Sequence, residues 1–200
     1  MARPRRFDEE LLLQCALDAF WRSGFDRASI DEISSAAGVG NGSIYAAYGS
    51  KLGLFLAVFS RYCEGRVELV RRSLENSEGA SFERAVAQYL DDVVSDCTSH
   101  DDRRGCLMLT SLADLADRFP EVVHLGRASI RRMEELMAHR VREAAETGQV
   151  DVASEDVEAL AAQIVLVSQG LIQLSRIGVD PERLRQIAAI TTRSVTTRAA

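Results

Sequence analysis

The strongest constraint in this chain is a period. Across its 200 residues no segment sustains the apolar–polar alternation of a strand, and nearly every stretch repeats apolar residues three and four apart. A first helix is expected over Phe7–Ser23, where Leu12, Ala16, Ala19 and Phe20 share a face and Gly24 ends the run. Ser29-Ile30-Asp31-Glu32 has the form of a capping box and opens a short second helix that Gly38 stops. A third helix is expected from about Gly40 to Tyr48. A long fourth runs from Ser50 to Leu74, with Leu54, Phe55, Val58, Phe59, Tyr62 and Leu69 as its apolar positions. Five more helices are expected near 81–99, 104–118, 120–147, 154–177 and 181–197. Pro120 and Pro181 stand at first helical positions, Asp180 stands as a cap, and Gly148 and Gly178 fall at helix ends. The expected fold is all-α with about nine helices: a helix-turn-helix domain over residues 1–50 and a larger helical domain over 51–200.

Composition narrows the function. The formal net charge is −6, so the protein is no polycation, and any DNA contact must come from a local feature. Four cysteines without a CxxC pair make neither a disulfide scaffold nor a zinc finger. His100, His124 and His139 share no metal-ligand spacing with one another or with the cysteines, so neither metal nor cofactor is expected. Residues 1–10 are polar and basic, with no secretory signal. The longest uncharged run, Ala159–Ser175, carries Gln163, Ser168, Gln169, Gly170 and Gln173, whereas a membrane span wants about 20 mostly apolar residues. A buried helix in a soluble, cytoplasmic protein without a membrane partner is the expectation.

Residues 29–48 fit a helix-turn-helix. Ile33, Ala37, Val39, Ile44 and Ala47 fall where two short helices pack together, and Gly38 occupies the turn, where a positive φ favours glycine. The second helix then presents Asn41, Ser43, Tyr45 and Tyr48 to a major groove or to phosphates. Arg3, Arg5 and Arg6 form an arm able to reach backbone or minor groove. Residues 1–51 hold six basic and seven acidic groups. Binding therefore depends on placement, with hydroxyls, amides and helix N-terminal N–H groups carrying much of the phosphate grip.

The ordered run Ser29-Ile30-Asp31-Glu32-Ile33, Ala36-Ala37-Gly38-Val39 and Gly42-Ser43-Ile44-Tyr45-Ala46-Ala47-Tyr48-Gly49-Ser50-Lys51-Leu52-Gly53-Leu54-Phe55 resembles the N-terminal domain of TetR-family transcriptional regulators. The close match spans about the first quarter of the chain, and helix count and length agree over the rest. The resemblance implies an all-helical homodimer whose first three helices bind double-stranded operator DNA. Its C-terminal domain would bind a small-molecule inducer that releases the DNA, and most such proteins are repressors. Matching positions assign Ser43, Tyr45, Tyr48 and Lys51 to DNA, largely to its phosphates. Arg3, Arg5, Arg6, Ser29, Asn41 and Gly42 complete the candidate surface. Asn41 stands where many members carry lysine or arginine, and is able to read adenine bidentately. Ala46-Ala47 replaces a common His-His pair, and Gly53 replaces a helix-favouring residue. These departures bear on the operator sequence.

Within Ala159–Ser175, Leu160, Ile164, Val167, Leu171 and Leu174 form one stripe, while Val165 and Ile172 lie elsewhere on the wheel. A helix apolar on more than one side is buried on more than one side. The last helix adds Leu184, Ile187 and Ile190. The resemblance implies that these two helices pair with their mates as a four-helix dimer interface. A twofold axis would then set the reading helices roughly 34–36 Å apart on a pseudo-palindrome. The candidate ligand contacts are Phe59, Tyr62, Tyr89, Val93, Cys106, Met108, Ser111, Leu112, Met133 and Gln163, which mix apolar bulk with a few polar groups and point to a small apolar or aromatic ligand. For each of them the competing reading is simple core. Cys106 follows Arg103-Arg104-Gly105 at an expected helix start, a setting that stabilises a thiolate, and Cys97 lies nine residues earlier. The competing reading is that both merely fill space. Gly53 and Gly65 weaken the fourth helix by roughly 1 kcal/mol each against alanine, and bending there is an expected lever between ligand and DNA.

An enzyme is the rival class. Gly38-Val39-Gly40-Asn41-Gly42 has no preceding strand, and no Walker lysine, HExxH or GxSxG is present, so no catalytic residue is assigned. A helical interaction module without DNA binding is the other alternative.

Overall fold

The computed structural model describes residues 7–99 and 102–196. These residues form nine α-helices and one 3-10 turn, without a strand. They are α1 (Glu9–Arg27), α2 (Ile30–Ala37), α3 (Asn41–Tyr48), α4 (Lys51–Glu75), α5 (Phe82–Thr98), α6 (Leu107–Leu115), α7 (Pro120–Glu146), the turn at Ser154–Asp156, α8 (Val157–Arg176) and α9 (Pro181–Thr196). The order matches expectation, and each boundary lies within four residues.

Local chemistry sets the ends. The Asp8 carboxylate accepts the Leu11 amide at 3.1 Å to open α1, which breaks at Gly24 (φ 76°) before one further turn. Ser29 Oγ accepts the Asp31 amide at 3.2 Å. Glu32 makes no return bond, so half of the expected capping box forms. Ser50 Oγ accepts the Gly53 amide at 3.0 Å, and the Asp180 carboxylate accepts that of Glu182 at 2.8 Å, behind Pro181. Such caps contribute about 1 kcal/mol each.

The chain packs as two compact units. One holds the chain up to Cys63 together with Leu107–Gly126; the other holds Glu64–Cys106 and the chain from Arg127 onward. The packing boundary therefore lies inside α4, beyond the division expected near Ser50. The cause is an aromatic core that the helix-turn-helix shares with α4 and with the corner before α7. Phe20 meets Phe55 edge-on at 5.1 Å between centroids, Phe55 stacks on Phe59 at 5.5 Å, and Phe25 touches Phe55 and Phe119 at 5.3 and 5.2 Å. Phe20, Phe55 and Phe59 are fully buried, each stabilising the unit by about 1.5–3 kcal/mol.

In the second unit α5, α8 and α9 pack on one another. Ser154–Arg176, the turn together with α8, has the length and mean hydropathy (1.5) of a membrane span, but two hydroxyls on the buried arc of α8 are seated in the unit's core. The buried Tyr89 hydroxyl donates to Ser168 Oγ at 2.8 Å, and Ser175 Oγ donates to the Cys97 carbonyl at 2.9 Å. Burial raises the Tyr89 pKa above its ordinary value.

Candidate nucleic-acid interface and its supporting contacts

Ile30, Ile33, Ala37, Val39 and Ile44 are buried and clamp α2 to α3 and to α1. Gly38 (φ 65°) supplies the left-handed corner, and its amide donates to the Ser34 carbonyl. Ser34 Oγ donates to the Val39 carbonyl at 2.6 Å and tightens the turn. α3 buries Ile44 alone. Gly42, Ser43 and Tyr45 face outward, with Tyr45 48% exposed. All three are open to solvent.

The other sequence candidates are already engaged. The half-buried Tyr48 donates its hydroxyl to the Glu9 carboxylate at 2.9 Å and fastens α3 to α1. Lys51 Nζ donates to the Asp26 carbonyl at 3.0 Å and lies 4.9 Å above the Phe25 ring. Ser29 is the α2 cap. Asn41 Nδ2 donates to the Asp31 carboxylate. The Asp31–Asn41 pairing leaves no signal in the sequence, because nothing local links positions ten apart. The expected arm of Arg3, Arg5 and Arg6 lies outside the described residues, as does His100.

Gly53 is explained by space, not by bending. A Cβ there would lie 1.9 Å from the Tyr48 carbonyl oxygen, so the end of α3 and the start of α4 fit together only around glycine. At Gly65 nothing lies within 4 Å. The same corner is braced by Asp26, whose carboxylate accepts both Arg118 guanidinium nitrogens at 2.8 and 2.9 Å. That hydrogen bonding holds the Asp26 carboxyl below its ordinary pKa.

The remaining candidates divide by unit. Phe59, Met108 and Ser111 are buried in the first unit, where Tyr62 and Leu112 are half-buried. Tyr62 packs edge-on against Trp21 at 5.0 Å. Tyr89, Val93, Cys106 and Met133 are buried in the second unit. Gln163 is exposed on the α8 face opposite its core, so it does not line the protomer's interior. A cavity of about 660 Å³ in the second unit, bordered by Arg71, Leu74, Glu75, Leu136, His139 and Arg140 among others, includes none of the ten candidates. Burial raises the Cys97 thiol pKa, the opposite of a reactive thiolate. Arg103 donates to the Val179 carbonyl and Arg104 pairs with Asp102.

The dimer stripe needs redrawing. Ile164, Leu171 and Leu184 are buried in their own unit and belong to its core. Leu160, Val167, Leu174 and Ile187 are half-buried, and Ile190 is 56% exposed. The most exposed large apolar groups among the described residues are Leu166 (67%) and Ile177 (76%), which the sequence stripe omitted. A wheel centred on the buried Ala161, Val165, Ser168 and Ile172 places both on the opposite side.

A short helix held by one buried isoleucine, set on a glycine corner and followed by a helical unit, defines a helix-turn-helix transcriptional regulator. Two family models match: "Bacterial regulatory proteins, tetR family" over residues 12–58 and "Tetracyclin repressor-like, C-terminal domain" over 83–191. The chain belongs to the TetR family of DNA-binding transcriptional regulators, which are not enzymes and which form dimers, typically as ligand-responsive repressors. It is 33% identical to a cysteine-substituted CifR complexed with 26-base-pair operator DNA, with 96% of this chain and 99% of that one covered and a TM-score of 0.78. It is 28% identical to the repressor ComR of Escherichia coli over 96% of this chain and 90% of that protein. The repressor BdcR of the same organism is 43% identical over 30% of each chain.

Proposed function

We propose that this chain is a cytoplasmic repressor that binds a pseudo-palindromic operator as a homodimer and leaves it when a small apolar or aromatic ligand binds. The observation that carries the reading is the outward face of α3. Gly42, Ser43 and Tyr45 stand in solvent over a buried Ile44, on a helix without a charged side chain. Such a face suits phosphates and base edges through hydroxyls and N-terminal N–H groups, not through bulk charge. Operator complexes of the 33%-identical CifR support it. For the dimer face we assign Leu166 on α8, Ile177 just past its end and Ile190 on α9, two helices that pack together, with the half-buried Leu160, Val167, Leu174 and Ile187 at their margins. For the ligand we retain Tyr89, Val93 and Met133, buried in the helical second unit.

The test is fluorescence anisotropy with labelled DNA flanking the protein's own gene, followed by a screen of apolar and aromatic compounds. Expected are tight, salt-dependent binding that Tyr45→Ala abolishes and a compound that reverses it. No binding, either to those fragments or to a random-sequence pool, would leave a helical interaction module. A reporter activated rather than silenced would overturn the repressor assignment.

A further inference from the structure

α2 and α3 are joined by a contact that packing alone does not require. Asn41 donates its Nδ2 to the Asp31 carboxylate, while its Oδ1 is buried with no hydrogen-bond partner among the described residues. A buried acceptor without a donor is a standing cost in the free protein. Turning the amide over does not remove it. Oδ1 would then face a carboxylate, and the –NH2 would be the buried, unpaired group. Asn41 is thus gripped by its donor end and left unsatisfied at its acceptor end.

Asn41 is the first residue of α3, and the first residues of a reading helix are the ones that meet base edges. A carboxamide offers a donor and an acceptor side by side. In the major groove adenine answers with an acceptor, N7, beside a donor, N6–H. Guanine presents two acceptors, cytosine a donor and thymine an acceptor. Adenine therefore supplies the donor that Asn41 Oδ1 lacks and the acceptor that Asp31 otherwise provides. A base that cannot do both leaves the amide on Asp31, whose carboxylate is repelled by phosphates and by acceptor edges.

We propose that Asn41 reads one adenine in each half-site and that Asp31 is its positioning residue, holding the amide back in the free protein and yielding it to adenine. The proposal rests on α3 being the DNA-reading helix. It makes specificity an exchange of partners: the correct base ends an unsatisfied state, and a wrong base prolongs it.

The experiment is operator selection from a random duplex pool with the full-length wild type, Asn41→Ala, Asp31→Ala, Asp31→Asn and the Asp31→Ala/Asn41→Ala double variant. Thermal melts check that each folds. Wild type is expected to enrich an adenine at one position per half-site. Asn41→Ala should lose that preference, roughly tenfold, and keep the others. Replacing that adenine with 7-deazaadenine, which removes N7, should weaken wild type about tenfold and leave Asn41→Ala unmoved. Asp31→Ala should tighten wild-type binding several-fold and tighten the Asn41→Ala background less. Asp31→Asn, which keeps an acceptor oxygen without the charge, should fall between wild type and Asp31→Ala. Unchanged base preference in Asn41→Ala, insensitivity to 7-deazaadenine, or an Asp31→Ala factor independent of Asn41 would each overturn the proposal. If wild type enriches no sequence at all, the assignment of α3 as the reading helix fails and takes this proposal with it.

Discussion

α3 and α8 solve opposite problems. α3 has eight residues, buries Ile44 alone, and is held down further by the Tyr48–Glu9 hydrogen bond. What it leaves in water is Gly42, Ser43, Tyr45 and Ala46: small groups and hydroxyls. α8 has twenty residues and commits eight of them to its own unit, among them Ile164, Leu171 and Ser168. What it leaves in water includes Leu166 and Ile177. The first surface is hydrated cheaply and gains from a partner rich in oxygen atoms. The second is an uncharged face whose large apolar groups gain from being covered by another apolar face. One helix is thus suited to DNA and the other to a second copy of the chain, and neither assignment uses the net charge of −6.

Charging the α8 face should break this contrast most strongly. Leu166→Asp with Ile177→Asp is expected to convert a dimer into monomers in analytical ultracentrifugation, and to weaken operator binding by about a hundredfold, since a monomer grips one half-site. Persistence of the dimer would put the interface elsewhere. On α3, Tyr45→Ala should weaken operator binding at least about tenfold while moving the melting temperature little, because an exposed side chain contributes within about 0.5 kcal/mol. A large loss of stability would make Tyr45 a packing residue.

A third pair of variants separates space from flexibility in α4. Gly53→Ala should cost about 1–3 kcal/mol through its clash with the Tyr48 carbonyl. Gly65→Ala, with open space around it, should gain about 0.5–1 kcal/mol. Equal effects in chemical denaturation would restore bending as the role of both glycines. The smallest expected effect concerns Asp26. Its folded-state carboxyl is held below the ordinary pKa by Arg118, so the pair stabilises the fold above the ordinary carboxylate range, and that contribution fades as pH falls through the lowered value. The melting difference between wild type and Arg118→Ala should therefore be small at neutral pH and vanish in acid. A difference constant across pH would place Arg118 in packing against Phe119 instead.

Helix order and the helix-turn-helix were legible because they depend on local rules. Ser29, Ser50 and Asp180 cap where their types say they should, Gly38 turns where only glycine turns easily, and three-to-four spacing found Ile33 and Ile44. What was not legible depends on neighbours far along the chain. The spacing of Ile164 and Leu171 marks an apolar stripe but does not say which unit covers it, and their own unit does. Gly53 looks like a weak point in a helix until the Tyr48 carbonyl is placed against it. Tyr48 and Lys51 have the chemistry of phosphate ligands, and no local pattern shows that the Glu9 carboxylate and the Asp26 carbonyl accept from them within the protein. Asp31 and Asn41 meet only because the turn folds α3 back on α2.

Hydroxyl-radical footprinting of the full-length protein on its selected operator tests the central claim most directly. A dimer reading DNA through α3 should protect two symmetric patches about one helical turn apart, roughly 34–36 Å centre to centre, and Tyr45→Ala should erase both. A single patch, or two patches that survive Tyr45→Ala, would contradict the account.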